Sequence, residues 1–68
     1  MTNTELLRQK IHDSGYRINF IAAKVGITYQ CLLNKINNKT EFTATEIKDL
    51  SDLLDISLEE RERIFFAA

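Results

Sequence analysis

Three amide side chains in one short segment have the types and the spacing needed to read the edges of DNA bases. Gln30, Asn34 and Asn37 stand four and then three residues apart, so on an α-helix they fall within about 60° of one another. A carboxamide carries a donor beside an acceptor, which matches N6 and N7 of adenine in the major groove. The spacing therefore predicts an amide face, with base recognition as the chemistry it could perform.

The same segment offers groups that suit a phosphate oxygen. Thr28 precedes the helix, whose first backbone N–H groups have no partner within the helix and attract anions. Lys35 and Lys39 place positive charges on its flank. Taken alone, Gln30 and Asn34 would be interpreted as solvated helix residues, and only the surrounding motif favours contact with bases.

Apolar residues at i, i+3, i+4 and i+7 predict the helices that position these groups. Thr2 with Glu5 is interpreted as a capping box for a first helix that ends near Ser14. A second helix lies between the two glycines of the chain. The third should begin after a Thr28 cap and end near Asn37.

Two further helices are predicted in the second half of the chain. The pairs Thr43-x-x-Glu46 and Ser57-x-x-Glu60 have the spacing of capping boxes, and each precedes an apolar stripe. No segment has the period-two alternation of a strand. The prediction is a single all-α domain of five short helices over residues 1–68.

Gly26 interrupts the apolar pattern between the second and third helices. Glycine tolerates a left-handed backbone, and Val25 and Ile27 on either side of it can fix the turn to the core. Ala22, one turn earlier, allows the two helices to approach closely. This arrangement is a helix-turn-helix, whose second helix can lie in the major groove.

Composition disfavours several other classes of protein. The chain has 68 residues, 44% of them hydrophobic, which fits one small core and leaves little room for an elaborate active site. Cys31 and His12 are single and form neither a zinc site nor a catalytic pair. We expect Cys31 to be semi-buried and His12 to lie on the surface. The sequence predicts no enzyme, cofactor, metal or small-molecule ligand, and no membrane segment or signal peptide, which favours the cytoplasm.

The net charge of −1 conceals an asymmetry between the two halves of the chain. Residues 1–39 carry a net charge of +4, and residues 40–68 carry −5. A polyanion could therefore bind along the first half while the second half faces away.

The chain resembles the small phage Cro and repressor proteins of the lambda-type (XRE-type) helix-turn-helix family, most closely over residues 16–39. That family's motif runs roughly Gly-Ile-Ser/Thr, three variable residues, Leu, two more, and Lys-Leu-Asn-Gly. Here it reads Gly26-Ile27-Thr28, Leu32 and Lys35-Ile36-Asn37-Asn38. The stretch "FTATEIKDLSDLLDISLEERERIFF" is similar to the family's tail.

The resemblance implies a transcriptional repressor or Cro-like switch protein that binds double-stranded operator DNA, with two copies on a pseudo-palindrome. It assigns base contacts to Tyr29, Gln30 and Asn34, and phosphate contacts to Arg17, Thr28, Asn37 and Lys39. The chain departs from the family at three positions. Ile18 stands where a glutamine usually braces a phosphate, Arg17 replaces a Ser or Thr cap, and Asn38 replaces a glycine in a turn that needs a left-handed residue.

Several aromatic residues have two interpretations. Tyr29 fits the apolar stripe of the third helix as well as it fits a DNA contact, and Phe20 is expected to cover the first or last helix rather than to stand free. Phe65 and Phe66 point about 100° apart, so one of them could face a partner subunit in a homodimer. A rival hypothesis is a protein-binding module on the same fold, with Tyr29, Leu33 and Phe20 as its apolar surface.

Overall fold

A computed structural model describes residues 1–67 of the chain, which form five α-helices and, within those residues, no strand. The helices are α1 (Thr4–Ser14), α2 (Ile18–Val25), α3 (Tyr29–Ile36), α4 (Ala44–Leu54) and α5 (Leu58–Phe65). Their number and order confirm the predicted all-α, five-helix fold. No helix among these residues is both long and apolar enough to cross a bilayer.

Apolar side chains from all five helices meet in one core, as their spacing predicts. The buried set is Leu7, Ile11, Ile21, Ala22, Leu32, Ile36, Phe42, Ile47, Leu50, Leu54, Ile56, Ile64 and Phe65. Phe42, in the segment between α3 and α4, meets Phe65 edge to face with ring centroids 5.3 Å apart. Phe66 is 56% exposed, which confirms that the two adjacent rings face different surroundings.

Hydroxyl side chains begin three of the helices where the sequence predicts. Thr28 accepts a hydrogen bond from the Cys31 N–H at the start of α3. The capping boxes of Thr43 with Glu46 and of Ser57 with Glu60 are both complete. Each cap satisfies backbone N–H groups that the helix itself leaves without a partner.

The predicted capping box of Thr2 with Glu5 is wrong. Asn3 is the N-cap of α1, and its Oδ1 accepts from the Leu6 N–H at 3.2 Å. Thr2 lies one residue before the cap and is only 4% exposed. Its backbone is bound by Asn38, a residue 36 positions away in sequence, so local spacing could not have assigned it.

Both capping glutamates also hold a lysine of another helix. Glu46 in α4 pairs with Lys35 of α3 at 2.8 Å, and Glu60 in α5 pairs with Lys10 of α1. Burial raises the pKa of Glu46, but the Lys35 ammonium and the bonds from Thr43 outweigh burial and hold that pKa below its usual value. The hydrogen bond from Lys10, followed by that from the Ser57 backbone, lowers the pKa of Glu60 to about 2.

The pairing of Glu60 predicts a loss of stability in acid. Its pKa falls from an ordinary 4.5 to about 2 on folding, so the stabilisation is present above about pH 4.5 and is lost as the pH falls towards 2. Glu60→Gln keeps an oxygen for the capping box and removes the charge. We expect the parent to unfold at higher urea than this variant at pH 7, with the difference shrinking as the pH is lowered.

The control for this experiment is Glu59→Gln. Glu59 pairs with Arg63 at 3.6 Å, and both side chains are mostly exposed, so the pair contributes little. Urea midpoints of this variant should track the parent across the same pH range. A difference between parent and Glu60→Gln that stays constant from pH 7 to pH 2.5 would show that Glu60 does not stabilise the fold through its charge.

Candidate nucleic-acid interface

The turn between α2 and α3 is closed by Gly26. Gly26 has φ 86°, a left-handed conformation that a side chain makes costly. Its N–H and that of Ile27 both bond to the Ala22 carbonyl, at 2.9 and 3.0 Å. Val25 and Ile27 pack against the core, and Ala22 is buried, as predicted for a tight turn between two contacting helices.

The amide face of α3 points away from the core. Leu32 and Ile36 are fully buried, while Gln30 is exposed and Asn34 is half-buried. The Gln30 Nε2 donates to the Asn34 Oδ1 at 3.0 Å. The two amides thus form one hydrogen-bonded unit, with the Gln30 Oε1 and the Asn34 Nδ2 free to meet an outside partner.

Asn37 ends α3 and is joined to α1. It is the C-cap residue, and its Oδ1 accepts from the Arg8 Nη2 at 2.9 Å. This contact places Arg8 at the end of the amide face. The sequence pattern did not indicate this position for Arg8. Helix periodicity does not report which side chain of α1 lies beside α3. The next residue, Asn38, has φ 64°, which confirms the predicted left-handed turn.

Residues at the start of α2 and α3 line an open groove. Arg17 is exposed at the N-cap position of α2 and makes no side-chain cap. Arg8, Arg17 and Tyr29 line the groove together. Tyr29 is 52% exposed, so the interpretation as a core residue is wrong and the DNA contact stays a prediction. Ile18, at the position of the family's glutamine, is half-buried against the core.

Lys35 lies in a different place from the one expected for a phosphate contact. Its Nζ bonds to the Glu46 carboxylate at 2.8 Å and to the Glu41 carbonyl at 3.1 Å, and its side chain is only 15% exposed. Its charge is neutralised and its donors point towards α4. We therefore correct its assignment from phosphate contact to a tie between α3 and α4. Lys39, just past the helix, is exposed.

These pairings change the charge distribution read from the sequence. Lys10 and Lys35 are neutralised by acids of the second half. Within residues 1–67, four basic residues of the first half have no carboxylate partner, namely Arg8, Arg17, Lys24 and Lys39. Three of them flank α3 or the groove at its start, so positive charge is concentrated beside the amide face.

An aromatic patch lies on α2 beside this interface. Phe20 is 42% exposed, with its ring centroid 5.0 Å from that of Tyr16 and the Lys24 Nζ 5.5 Å above it. Phe20 is therefore a partly exposed residue of α2 that contacts Tyr16 and Lys24. Cys31 is also exposed rather than semi-buried, because it lies on α3 away from the Leu32 and Ile36 stripe. His12 is exposed, as expected.

The part of the chain that the structure describes contains no cluster of possible metal ligands. No group of three or more His, Cys, Asp or Glu side chains comes together there.

Comparisons with protein-family models, with curated proteins and with solved structures find no match to this chain. The geometry and charge of its own residues therefore carry the functional argument.

Proposed function

We propose that this chain is a sequence-specific, DNA-binding transcriptional regulator, of the kind implied by its resemblance to the Cro-like repressors of the lambda-type helix-turn-helix family. The observation that carries the proposal is the hydrogen-bonded amide pair of Gln30 and Asn34 on the outer face of α3. That helix follows a tight turn at Gly26 and is flanked by basic residues without carboxylate partners in the described chain. In this proposal α3 enters the major groove.

The amide pair suits base edges because it is already ordered. Two free carboxamides would each lose rotamer freedom on binding, whereas the bond between Gln30 and Asn34 has already restricted both side chains. The acceptor left on Gln30 and the donor left on Asn34 can bond to one base or to two neighbouring bases. Tyr29, at the start of the same helix, offers a ring for a thymine methyl or a sugar.

Phosphate binding is assigned to groups on both sides of this pair. Arg17, Thr28, Asn37 and Lys39 keep the role expected of them, and Arg8 joins them through its bond to Asn37. Lys35 does not, because Glu46 holds it. Such contacts position the protein on the duplex without reading sequence.

Salt dependence of DNA binding tests this assignment. Each cation that neutralises one phosphate contributes roughly one unit to the slope of log affinity against log salt. Lys39→Ala and Arg17→Ala should each lower the slope by about one unit. The control is Lys48→Ala, because Lys48 lies on α4 and pairs with Asp52 at 3.3 Å, so its slope should match that of the parent.

The outcome that would overturn the assignment is a lower slope for Lys48→Ala with an unchanged slope for Lys39→Ala. That result would place DNA against α4 rather than α3. If the chain does not bind DNA even at low salt, the proposed function as a whole is wrong.

Two copies of the chain are expected on one operator. A single recognition helix buries little surface and reads few base pairs, and a dimer on a pseudo-palindrome supplies the missing specificity. α5 offers a contact for this homodimer, because Phe66 and Leu58 are 56% and 75% exposed and line the same shallow groove with Ile47. Exposed apolar side chains in one groove are typical of an interaction site.

Phe66→Ala is expected to weaken self-association about tenfold, since truncating a central aromatic residue of an interface commonly costs above 1 kcal/mol. Sedimentation over a range of concentrations measures it. The matched control is Phe20→Ala, which removes the same ring from an exposed site on α2. Equal association of the parent and both folded variants would remove α5 as the dimer contact.

A protein-binding module is the second candidate, and one observation favours it. Tyr16 and Phe20 form an aromatic patch with ring centroids 5.0 Å apart, and Tyr29 exposes a third ring at the start of α3. Exposed aromatic residues are enriched in protein interfaces. An apolar interface should respond little to ionic strength. Binding of a partner protein that persists at high salt and is lost in Phe20→Ala, together with salt-insensitive or absent DNA binding, would favour this candidate.

A further inference from the structure

The first residues of the chain are held by the side chain of Asn38. The Thr2 N–H donates to the Asn38 Oδ1 at 2.9 Å, and the Asn38 Nδ2 donates to the Thr2 carbonyl at 2.8 Å. One carboxamide thus satisfies both backbone groups of one residue, as a neighbouring β-strand would. Thr4 adds a link, because its hydroxyl donates to the Ile36 carbonyl at 2.6 Å and lies 3.3 Å from the Asn38 Nδ2.

The opposite side of the same segment is bound to the end of α5. The Asn3 N–H donates to the Ile64 carbonyl at 2.6 Å, and the Ala67 N–H donates to the Met1 carbonyl at 3.1 Å. Successive residues of an extended chain direct their backbone groups to opposite sides. Asn3 therefore binds α5 and Met1 binds Ala67 just beyond it, while Thr2 between them binds Asn38.

Asparagine combines the two properties that position 38 needs. The backbone has φ 64°, which glycine, asparagine and aspartate tolerate best. Glycine has no side chain to bind Thr2. Aspartate has acceptors but no donor, so it would set an oxygen against the Thr2 carbonyl.

We propose that Asn38 is a positioning residue that clasps residues 1–3 between the C-terminal end of α3 and the C-terminal end of α5. The clasp links one helix end to the other in addition to the packing of the core. If α3 reads DNA and Phe66 beside α5 forms the dimer, as the proposed function has it, the clasp sets how two copies of α3 are held relative to each other. This last step rests on the proposed function, whereas the clasp itself does not.

Backbone order parameters test the clasp without any ligand. Residues outside helices are mobile unless they are tied down, so the bonds to Thr2 and Asn3 should give both residues values near those of a rigid backbone in the parent, about 0.85. In Asn38→Gly, which keeps the left-handed turn, the value for Thr2 should fall below about 0.6, whereas Asn3 keeps its bonds to Ile64 and Leu6 and should stay near the parent value. The matched control is Asn37→Ala, which removes the neighbouring amide and should leave residues 2 and 3 rigid.

The clasp is overturned if Thr2 stays rigid in Asn38→Gly, or if Thr2 loosens equally in Asn37→Ala. Thermal unfolding of each variant accompanies the measurement, so that a general loss of structure is recognised. Asn38→Asp supplies the second variant, because it retains the turn and one acceptor. Without the donor to the Thr2 carbonyl it should also release Thr2, and a rigid Thr2 in this variant would count against the two-sided bond.

The coupling to dimerisation is tested by combining Asn38→Gly with Phe66→Ala. In the parent, Phe66→Ala should weaken binding to a DNA sequence selected from a random pool. With the clasp open, one link between the ends of α3 and α5 is lost and a dimer holds the two copies of α3 less firmly in register. Phe66→Ala should then weaken this binding by a factor at least about fivefold smaller than in the parent. An equal effect in both backgrounds overturns the coupling. If the parent protein selects no sequence from the pool, the proposed function is wrong. The order parameters then test the clasp on their own.

Discussion

Replacing Gln30 or Asn34 by alanine is expected to weaken specific DNA binding by about 1 to 3 kcal/mol, with nonspecific binding nearly intact. Each substitution removes a donor and an acceptor from the outer face of α3 and frees the remaining amide of the pair. Neither side chain belongs to the core, and alanine is the best helix former. The unfolding temperature should therefore stay at or above that of the parent.

The two amides should also prove interdependent. Because the Gln30 Nε2 binds the Asn34 Oδ1 at 3.0 Å, the double variant should lose less than the sum of the two single losses. Affinities for a selected sequence and for random DNA measure both effects. Gln9→Ala is the matched control, since Gln9 makes the same kind of i, i+4 bond, to Asp13 on α1. Equal losses for selected and random DNA, or a loss for Gln9→Ala, would show that the pair does not read bases.

The helices were predictable because local signals set them. Gly26 ends α2 through its left-handed backbone, and Thr28, Thr43 and Ser57 each cap the helix that follows. These features depend on residues within one turn of each other, so the sequence contains all the information they need. The outward direction of the Gln30 and Asn34 pair was predictable for the same reason, since Leu32 and Ile36 fix the inner face of α3.

Contacts between distant residues were not predictable from periodicity. Thr2 has the spacing of a cap for α1, yet Asn38 binds its backbone and Asn3 takes the capping position. Arg8 lies beside α3 because the packing of the helices brings it to Asn37. A helical pattern gives the buried face of each helix but not the neighbour that its polar residues meet.

The net charge of the first half overstates its free positive charge for a related reason. The net +4 of residues 1–39 treats every lysine as free, whereas acids of the second half neutralise Lys10 and Lys35. Both acids are capping glutamates, Glu60 and Glu46, which cap their own helices and also pair with lysines of the first half. A residue that is recognised for one local role can thus have a second, long-range one. The positive charge that remains is smaller and is concentrated around α3.

Lys35 is paired with Glu46, whereas Lys39 is exposed. Substitutions at these two lysines therefore distinguish a residue that stabilises the fold from one that contacts DNA. Lys35→Met is expected to lower the free energy of unfolding by about 2 kcal/mol, because it leaves the Glu46 carboxylate charged, mostly buried and without its partner. The salt slope of DNA binding should not change, since Lys35 neutralises a carboxylate rather than a phosphate. Lys39→Met makes the same chemical change at an exposed site, and should do the reverse. It should leave stability within about 0.5 kcal/mol of the parent and lower the slope by about one unit.

A second substitution separates the unpaired charge from the lost contact. Glu46→Gln in the Lys35→Met background removes the stranded charge, yet glutamine can still accept from the Thr43 N–H in the capping box. Part of the lost stability should return, because a neutral amide costs less to bury than a carboxylate. Urea unfolding at pH 7 gives the stabilities, and affinity across a salt series gives the slopes. If Lys35→Met and Lys39→Met destabilise equally and lower the slope equally, Lys35 contacts phosphate after all, and its bond to Glu46 opens when DNA binds.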